Sequence, residues 1–426
     1  MARILTTDES VIDPDFKISG AKFIQHEYEL ELLTPMAGGG TKSWVPDLEN
    51  PVRTQSIKGQ LRFWWRTMQN EVNPTDFKTK EDRLWGSTKE ASTVRLSVNL
   101  TKKPTIKRIP WGGKDGKYLQ FDNVQVPGFV LFPFQNKPFQ PGDDCDLIGD
   151  LSFILKVTCL PEHKNEVCNS IKLWTLFGGL GARSRRGCGS LYCKEIAEQF
   201  QTTGDIDQFV NNLAENQNGN LSTSPYPRLS GSQFRSITTT TNNAAAMEWC
   251  AYLDRYGAFR QGQGVGRRAG AGNQPGRSYW PEPDAMRLIT GKSSPNHQPN
   301  HPAGKWFPRG AYGLPIITEF RNAGGDPPGK YTLLPAGAKQ ERWPSPVILK
   351  VTRLGGGNIA RLCLILNDKG PQILKLESSI ISYTLAPAEH PLDHTDKEMV
   401  EPTNILQSRE NPYDGLLRYL EMTEVA

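Results

Sequence analysis

The segment that most restricts the fold is 162–196, where a helical apolar stripe, a glycine- and arginine-rich turn and a short apolar run follow without a break. Val167, Ile171, Trp174 and the pair Leu176/Phe177 recur at the spacing of one helix face, which predicts a helix over 162–177. FGGLGARSRRGCGS then occupies 177–190, and a short strand is expected over 190–196. The order is helix, loop, strand. A Walker loop needs GxxxxGK[ST] with the strand first and the helix second, so this loop does not seat phosphates on a helix N-terminus.

Other elements fit around that frame. Roughly alternating apolar and polar residues predict a strand over 22–33, and STVRLSVNL (92–100) and DLSFILKVTC (150–159) read as two more. A strand or hairpin is expected in the insert around 128–133. IKGQLRFWWRTMQN places Ile57, Leu61, Trp64/Trp65 and Met68 at helical spacing. Strand, helix, strand, strand, helix, strand is the split βαβ order of a ferredoxin-like or RRM-type domain, here 22–196.

An irregular N-terminal arm (1–21) precedes it, and a polar linker or loop (197–230) follows. Strands at 233–239, 312–320, 347–354 and 360–367, with helices at 244–259 and 284–289, fit loosely a second inserted domain of the same class over 231–388. Residues 389–426 form an acidic tail with a helix near 414–421. The expected fold class is α+β: two ferredoxin-like (RRM-like) βαββαβ domains with large loop insertions. The 40 Gly and 32 Pro among 426 residues favour long ordered loops.

Charge distribution points toward a polyanion. Net charge is +5, yet nine acids against Lys397, Arg409 and Arg418 make the tail −6 and leave the preceding chain at +11. Within that body, 255–310 carries nine Lys or Arg against Glu282 and Asp284. A solvated basic loop is the plain alternative. In 177–190, five glycines surround Arg183, Arg185 and Arg186, combining backbone freedom with forked donors for phosphate oxygens; a purely structural corner is the competing reading.

Lys58, Arg62 and Arg66 fall at i, i+4, i+8 beside the apolar stripe of the WW helix, either as phosphate ligands or as a solvated flank. Trp64 and Trp65 favour the core over base stacking. RQGQGVGRRAGAG reads as a flexible cationic strap with Arg267 and Arg268, and Arg277 and Trp280 in GRSYWPEP add a stacking platform or mere packing.

Catalytic and metal chemistry find little support. The seven cysteines form no CxxC pair, and the His297/His301 pair lies among prolines that forbid a helix. GGGTKS (38–43) departs from the P-loop spacing. Only His26 offers a base on an early strand, and a lone strand histidine is more often structural. Neither a metal nor a cofactor is expected. The longest aliphatic run falls far below the roughly 18 residues of a membrane span, and the first residues lack the apolar centre of a signal peptide, so a cytoplasmic protein is expected.

TPMAGGG, IKGQLRFWWR, LWGSTKEASTVRLSV, FGGLGARSRRGCGSL, RSYWPEPDAMR, FPRGAYGLPI and SPVILK, in that order, resemble the RAMP superfamily, specifically Cmr subunit one of type III-B CRISPR effector complexes. The resemblance implies two ferredoxin-like domains, no nuclease centre, a position near the 3′ portion of the crRNA, help in engaging target RNA, and other Cmr subunits as partners. By position it implies RNA contact for Lys58, Arg62, Arg66, Arg183, Arg185 and Arg186, and also for Arg267, Arg268, Arg277 and Arg309. The acidic tail and the polar stretch 211–224 have no counterpart in the pattern. A guide-processing endoribonuclease with His26 as base, and a pure assembly scaffold, are the rival readings.

Overall fold

The computed structural model describes residues 23–42, 45–70, 73–109, 111–112, 118–121, 124–134, 145–217, 226–239, 244–270, 276–320, 324–337, 341–368, 370–386, 389, 405–407 and 411–422. The expected arm at 1–21 and most of the acidic tail lie outside them. The first half runs β1 (Ile24–Leu32), α1 (Thr54–Thr67), α2 (Pro74–Trp85), β2 (Arg95–Ile109), β3 (Trp111–Gly112), β4 (Tyr118–Phe121), β5 (Val124–Pro127), α3 (Gly128–Leu131), β6 (Cys145–Cys159), α4 (Lys164–Phe177), β7 (Leu191–Tyr192), α5 (Lys194–Ala197) and α6 (Thr203–Glu215). The second half runs β8 (Arg228–Thr238), α7 (Ala245–Gln261), α8 (Glu282–Thr290), β9 (Ile316–Glu319), β10 (Lys330–Pro335), β11 (Val347–Arg353), β12 (Ile359–Asn367), β13 (Leu374–Glu377), β14 (Ser382–Thr384) and α9 (Pro412–Met422).

The fold is mixed α and β, with antiparallel sheets. The first sheet has the order β2-β6-β1-β7, each pair antiparallel. Its register sets Tyr28 opposite Leu155 and Leu30 opposite Phe153, all buried, while the alternate residues Glu27 and Glu29 face solvent. A second sheet has the order β11-β12-β8. Both of its faces are covered: Ile348, Leu362 and Leu364 join the core of α1 and α4, whereas Val347, Leu349 and Cys363 join that of α7 and α9. The strands accordingly read as near-continuous apolar runs.

Helix α4 therefore packs on both sides. Eight of its residues, including Val167, Ile171, Leu173, Trp174 and Phe177, are buried, more than a one-faced helix needs. A smaller lobe carries the sheet β14-β13-β10-β9 with Ala285 and Met286 of α8 against Tyr331, Leu333, Leu374 and Leu376.

Several expectations are corrected. The strand or hairpin expected around 128–133 is β5 followed by helical turns, with Val130 and Leu131 fully buried. The strand expected over 190–196 stops at Tyr192 and gives way to α5, and the segment expected from 312 as strand begins as the 3-10 turn Pro308–Tyr312. The polar linker contains α6: Thr202 and Asp205 form a capping box, and Ile206 and Val210 reach the core one turn apart. Helix α9 is part of the second core through Leu416, Leu417 and Leu420, so this portion of the tail is built in. Replacing Ile206 by Ala should cost about 2–5 kcal/mol in urea unfolding, whereas Asp207→Ala on the exposed side of α6 should stay within about 0.5 kcal/mol.

Candidate nucleic-acid interface

The glycine- and arginine-rich loop folds onto itself and onto protein on both sides. Leu180 N donates to Gly189 O (2.9 Å), Ala182 N to Ala37 O (2.9 Å) and Gly189 N to Pro35 O (2.8 Å). Gly187 (φ +74°) lies against the Trp249 indole, where an added Cβ would come within 2.7 Å of the ring. At this position glycine serves close packing between the halves of the chain.

The three arginines follow the same logic. Arg183 donates to the carbonyls of Val130 (2.7 Å) and Phe129 (3.0 Å). Arg185 donates to Ser345 O and lies 5.6 Å from the Phe63 ring. Arg186, 7% exposed, donates to Val347 O (2.7 Å), Ser345 Oγ (3.0 Å) and Tyr256 Oη (3.3 Å), with its guanidinium 4.9 Å from the Tyr256 ring. Burial, reinforced by Arg186, pulls Arg185 down to about 10 and lowers Arg183 as well. Beside this clasp, Lys350 is fully buried and donates to Gly178 O, and burial brings its ammonium down to about 7.

On α1 the cationic flank divides. Arg62 and Arg66 both donate to Oε1 of Glu81, which is buried on α2. Burial pushes Glu81 up, but the two guanidinium groups outweigh it and hold its carboxyl below the ordinary value. Arg66 also covers the Tyr226 ring at 4.5 Å. Lys58 is half-buried without a carboxylate partner among the described residues; burial and the Arg62 charge lower its pKa. Trp64 and Trp65 are both core residues, each 1% exposed.

The expected strap at 262–268 is an ordered turn. Gly264 N donates to Arg267 O (2.7 Å), Gly266 N to Gly262 O (2.8 Å), Arg268 N to Arg277 O (2.8 Å) and Tyr279 N to Gly266 O (3.0 Å). Arg267 Nε donates to Gln261 O (2.8 Å), while Arg268 is exposed with its guanidinium 6.0 Å from the Tyr279 ring. Trp280, 2% exposed, packs edge-on against Phe259, so it is a core residue and not a stacking platform. Arg277 pairs with Asp284 (2.6 Å), Arg287 bridges Asp284 and Asp326 (2.8 Å to each), and buried Arg309 pairs with Glu282 (3.0 Å). His297 Nδ1 lies 2.9 Å from Asp326, and His301 Nε2 lies 3.0 Å from Tyr279 O.

Residues 29–192 match the model of the RAMP superfamily. Over that stretch the chain is similar to the RAMP superfamily. Two curated proteins of Pyrococcus furiosus are similar to the chain. CRISPR system Cmr subunit Cmr1-1 is 30% identical over 174 residues, covering 38% of this chain and 48% of that protein; Cmr subunit Cmr1-2 is 24% identical over 188 residues, covering 41% and 97%. The chain thus spans about half the length of the first. Among solved structures, apo Cmr1 from P. furiosus gives a TM-score of 0.44 at 18% identity, covering 82% of this chain and 89% of that one. A chain of type III-B Cmr-beta bound to cognate target RNA and AMPPnP gives 0.46 at 12% identity, covering 81% and 95%. The resemblance carried by the motifs is borne out by the family match and the two curated relatives.

The matched stretch also presents features that the motif reading passed over. β2 continues to Ile109 through TKKPTIKRI, and Lys103 stands exposed there, while Arg108 pairs with Asp146 (3.0 Å). The cluster of bases at 102–108 was the available signal. His26 lies exposed on β1, its Nε2 2.8 and 2.9 Å from the two Glu195 oxygens. Among the described residues, no group of three or more His, Cys, Asp or Glu side chains could hold a metal ion, and no helix is long and apolar enough to cross a membrane.

Two stability tests follow from the clasp. Arg186→Ala removes donors from buried acceptors and should cost about 2–4 kcal/mol in denaturant unfolding, with Arg268→Ala close to neutral. Lys350 titrates near 7 when folded and near its ordinary 10.5 when unfolded, so the unfolded chain binds more protons between those values. Its contribution to stability therefore rises with pH across that interval. Lys350→Met removes this contribution, so the wild-type minus variant difference in unfolding free energy should rise from pH 7 through 8 to 9; a difference flat with pH would contradict the assignment.

Proposed function

We propose that the chain is a non-catalytic RNA-binding subunit of a type III-B CRISPR effector complex, seated near the 3′ portion of the crRNA and helping to capture target RNA, with other Cmr subunits as neighbours. The carrying observation is the division of charge within 255–310. Its two acids, Glu282 and Asp284, are occupied by Arg309, Arg277 and Arg287. Exposed Arg268, Lys292 and Lys305, with half-buried Arg267, remain as cationic surface. Sequence selection then comes from guide-target pairing while the protein holds backbone.

We also read both halves as ferredoxin-like, with domains at 22–196 and 231–388. The first sheet has the split βαβ order, and β8, α7, β11, β12 and α9 repeat that order without a fourth strand among the described residues. Lys58, Arg267 and Arg268 are the expected RNA contacts that this geometry favours. Arg62, Arg66, Arg183, Arg185, Arg186, Arg277 and Arg309 support the surface through protein contacts.

One observation favours the endoribonuclease rival: Glu195 orients the His26 ring. Cleavage of a repeat RNA by the purified chain in EDTA, lost in His26→Ala, would establish that rival and displace the non-catalytic reading. For the leading reading, single-stranded RNA affinity should fall with salt, and replacing Arg267, Arg268, Lys292 and Lys305 by Ala should flatten the log–log slope by about 0.7 for each phosphate no longer neutralised. An unchanged affinity and slope would remove this surface from RNA binding.

A further inference from the structure

Between the ordered turn 262–268 and helix α9 lies a partly open cleft of about 630 Å³, bounded by Phe259, Gly264, Val265, Arg268, Tyr279, Ile405, Gln407, Arg418 and Tyr419. Its volume falls in the range of small-ligand sites, ~300–1,000 Å³. The lining has a composition suited to one kind of guest. Tyr279 and Tyr419 supply ring faces, Phe259 and Ile405 an apolar floor, and Arg268 and Arg418 two positive charges, with no carboxylate among the described residues of the wall.

The walls are fixed by the surrounding structure. Phe259 stacks obliquely on Tyr419 at 5.2 Å and meets Trp280 edge-on at 5.2 Å. Arg418 Nη2 donates to Ile405 O (2.9 Å), joining α9 to the segment that closes the cleft. Gly276 lets the following strand of chain pass the turn, since an added Cβ would come within 2.1 Å of Arg268 O. Arg268 is the member presented to solvent, and its backbone N–H is already satisfied by Arg277 O. Aromatic faces beside guanidinium groups are the composition that holds an unpaired base together with its phosphate.

We propose that this cleft binds one unpaired nucleotide of a single-stranded RNA, with its base on the Tyr279 and Tyr419 side and its phosphate toward exposed Arg268. The inference rests on the RNA-binding reading above and adds a defined seat to it. It gives the turn a role beyond diffuse attraction: a seated base fixes where the strand enters or leaves the surface.

The test uses the full-length chain and a short single-stranded RNA carrying 4-thiouridine, photo-crosslinked and mapped to peptides. Crosslinks should fall in the peptides containing Tyr279 and Tyr419. Arg268→Glu should reduce both crosslinking and affinity by about tenfold or more, and Tyr279→Leu by about tenfold, with thermal unfolding of Arg268→Glu unchanged. Uridine 5′-monophosphate should compete for the crosslink better than uridine or inorganic phosphate at equal concentration. If the chain binds RNA yet crosslinks map elsewhere, or Arg268→Glu leaves them intact, the cleft proposal is overturned while the RNA-binding reading stands. Competition by phosphate equal to that of the nucleotide also overturns it, by showing a bare anion site. If the wild-type chain binds no RNA in filter or anisotropy assays, the broader reading fails; crosslinking in the cleft by thio-UMP alone would then be the outcome that keeps a nucleotide seat without it.

Discussion

The guanidinium of Arg186 is the fastening on which the arrangement of the two halves depends. It reaches out of a loop of the first half to a strand carbonyl, a serine hydroxyl and a tyrosine of the second, all in a site nearly closed to water. A charge buried this deeply is tolerated only when its donors are met. The acceptors here are supplied by chain segments that approach because α4 and β11 pack together. Lys350 repeats the device from the opposite side, a strand of the second half reaching back to the end of α4. The loop most suggestive of a ligand site by composition is thus also the principal seam of the molecule.

That seam has a bearing on where the proposed RNA contacts can lie. A guanidinium cannot serve a buried carbonyl and an outside phosphate at full strength together, and moving it would strip the carbonyl of its donor. Of the cations that the motifs singled out, Arg267 and Arg268 stay outward on a turn whose backbone hydrogen bonds hold its shape. Rigid presentation reduces the ordering cost of binding. The inward arginines therefore contribute by keeping the outward ones in place.

Periodicity made much of the framework legible. The stripes of α1 and α4 and the alternation of β1 could be read because each apolar residue faces a core in register. α6 was hidden although Ile206, Phe209, Val210 and Leu213 recur at helical spacing, because the surrounding Asn, Gln and Asp have the composition of a loop. β2 was cut short because its later residues stand on an arm where polar side chains meet water. The destinations of Arg183, Arg185 and Arg186 were illegible for a different reason. Their acceptors are largely main-chain carbonyls, about 53 to 161 positions away, and a carbonyl leaves no trace in residue identity. Arg62 and Arg66 were closer to legibility, since their partner Glu81 lies only nineteen and fifteen positions ahead.

The two-sided burial of α4 carries a consequence for how this polypeptide can be divided. Severed after α6, the first half would keep its own sheet but lose the cover that Phe234, Ile348, Leu362 and Leu364 provide. An oily ridge would then meet water along the helix layer, inviting self-association. The second half would lose its lining in the same cut. The halves are therefore inseparable partners in one cooperative body, in which damage to either interior is felt across both.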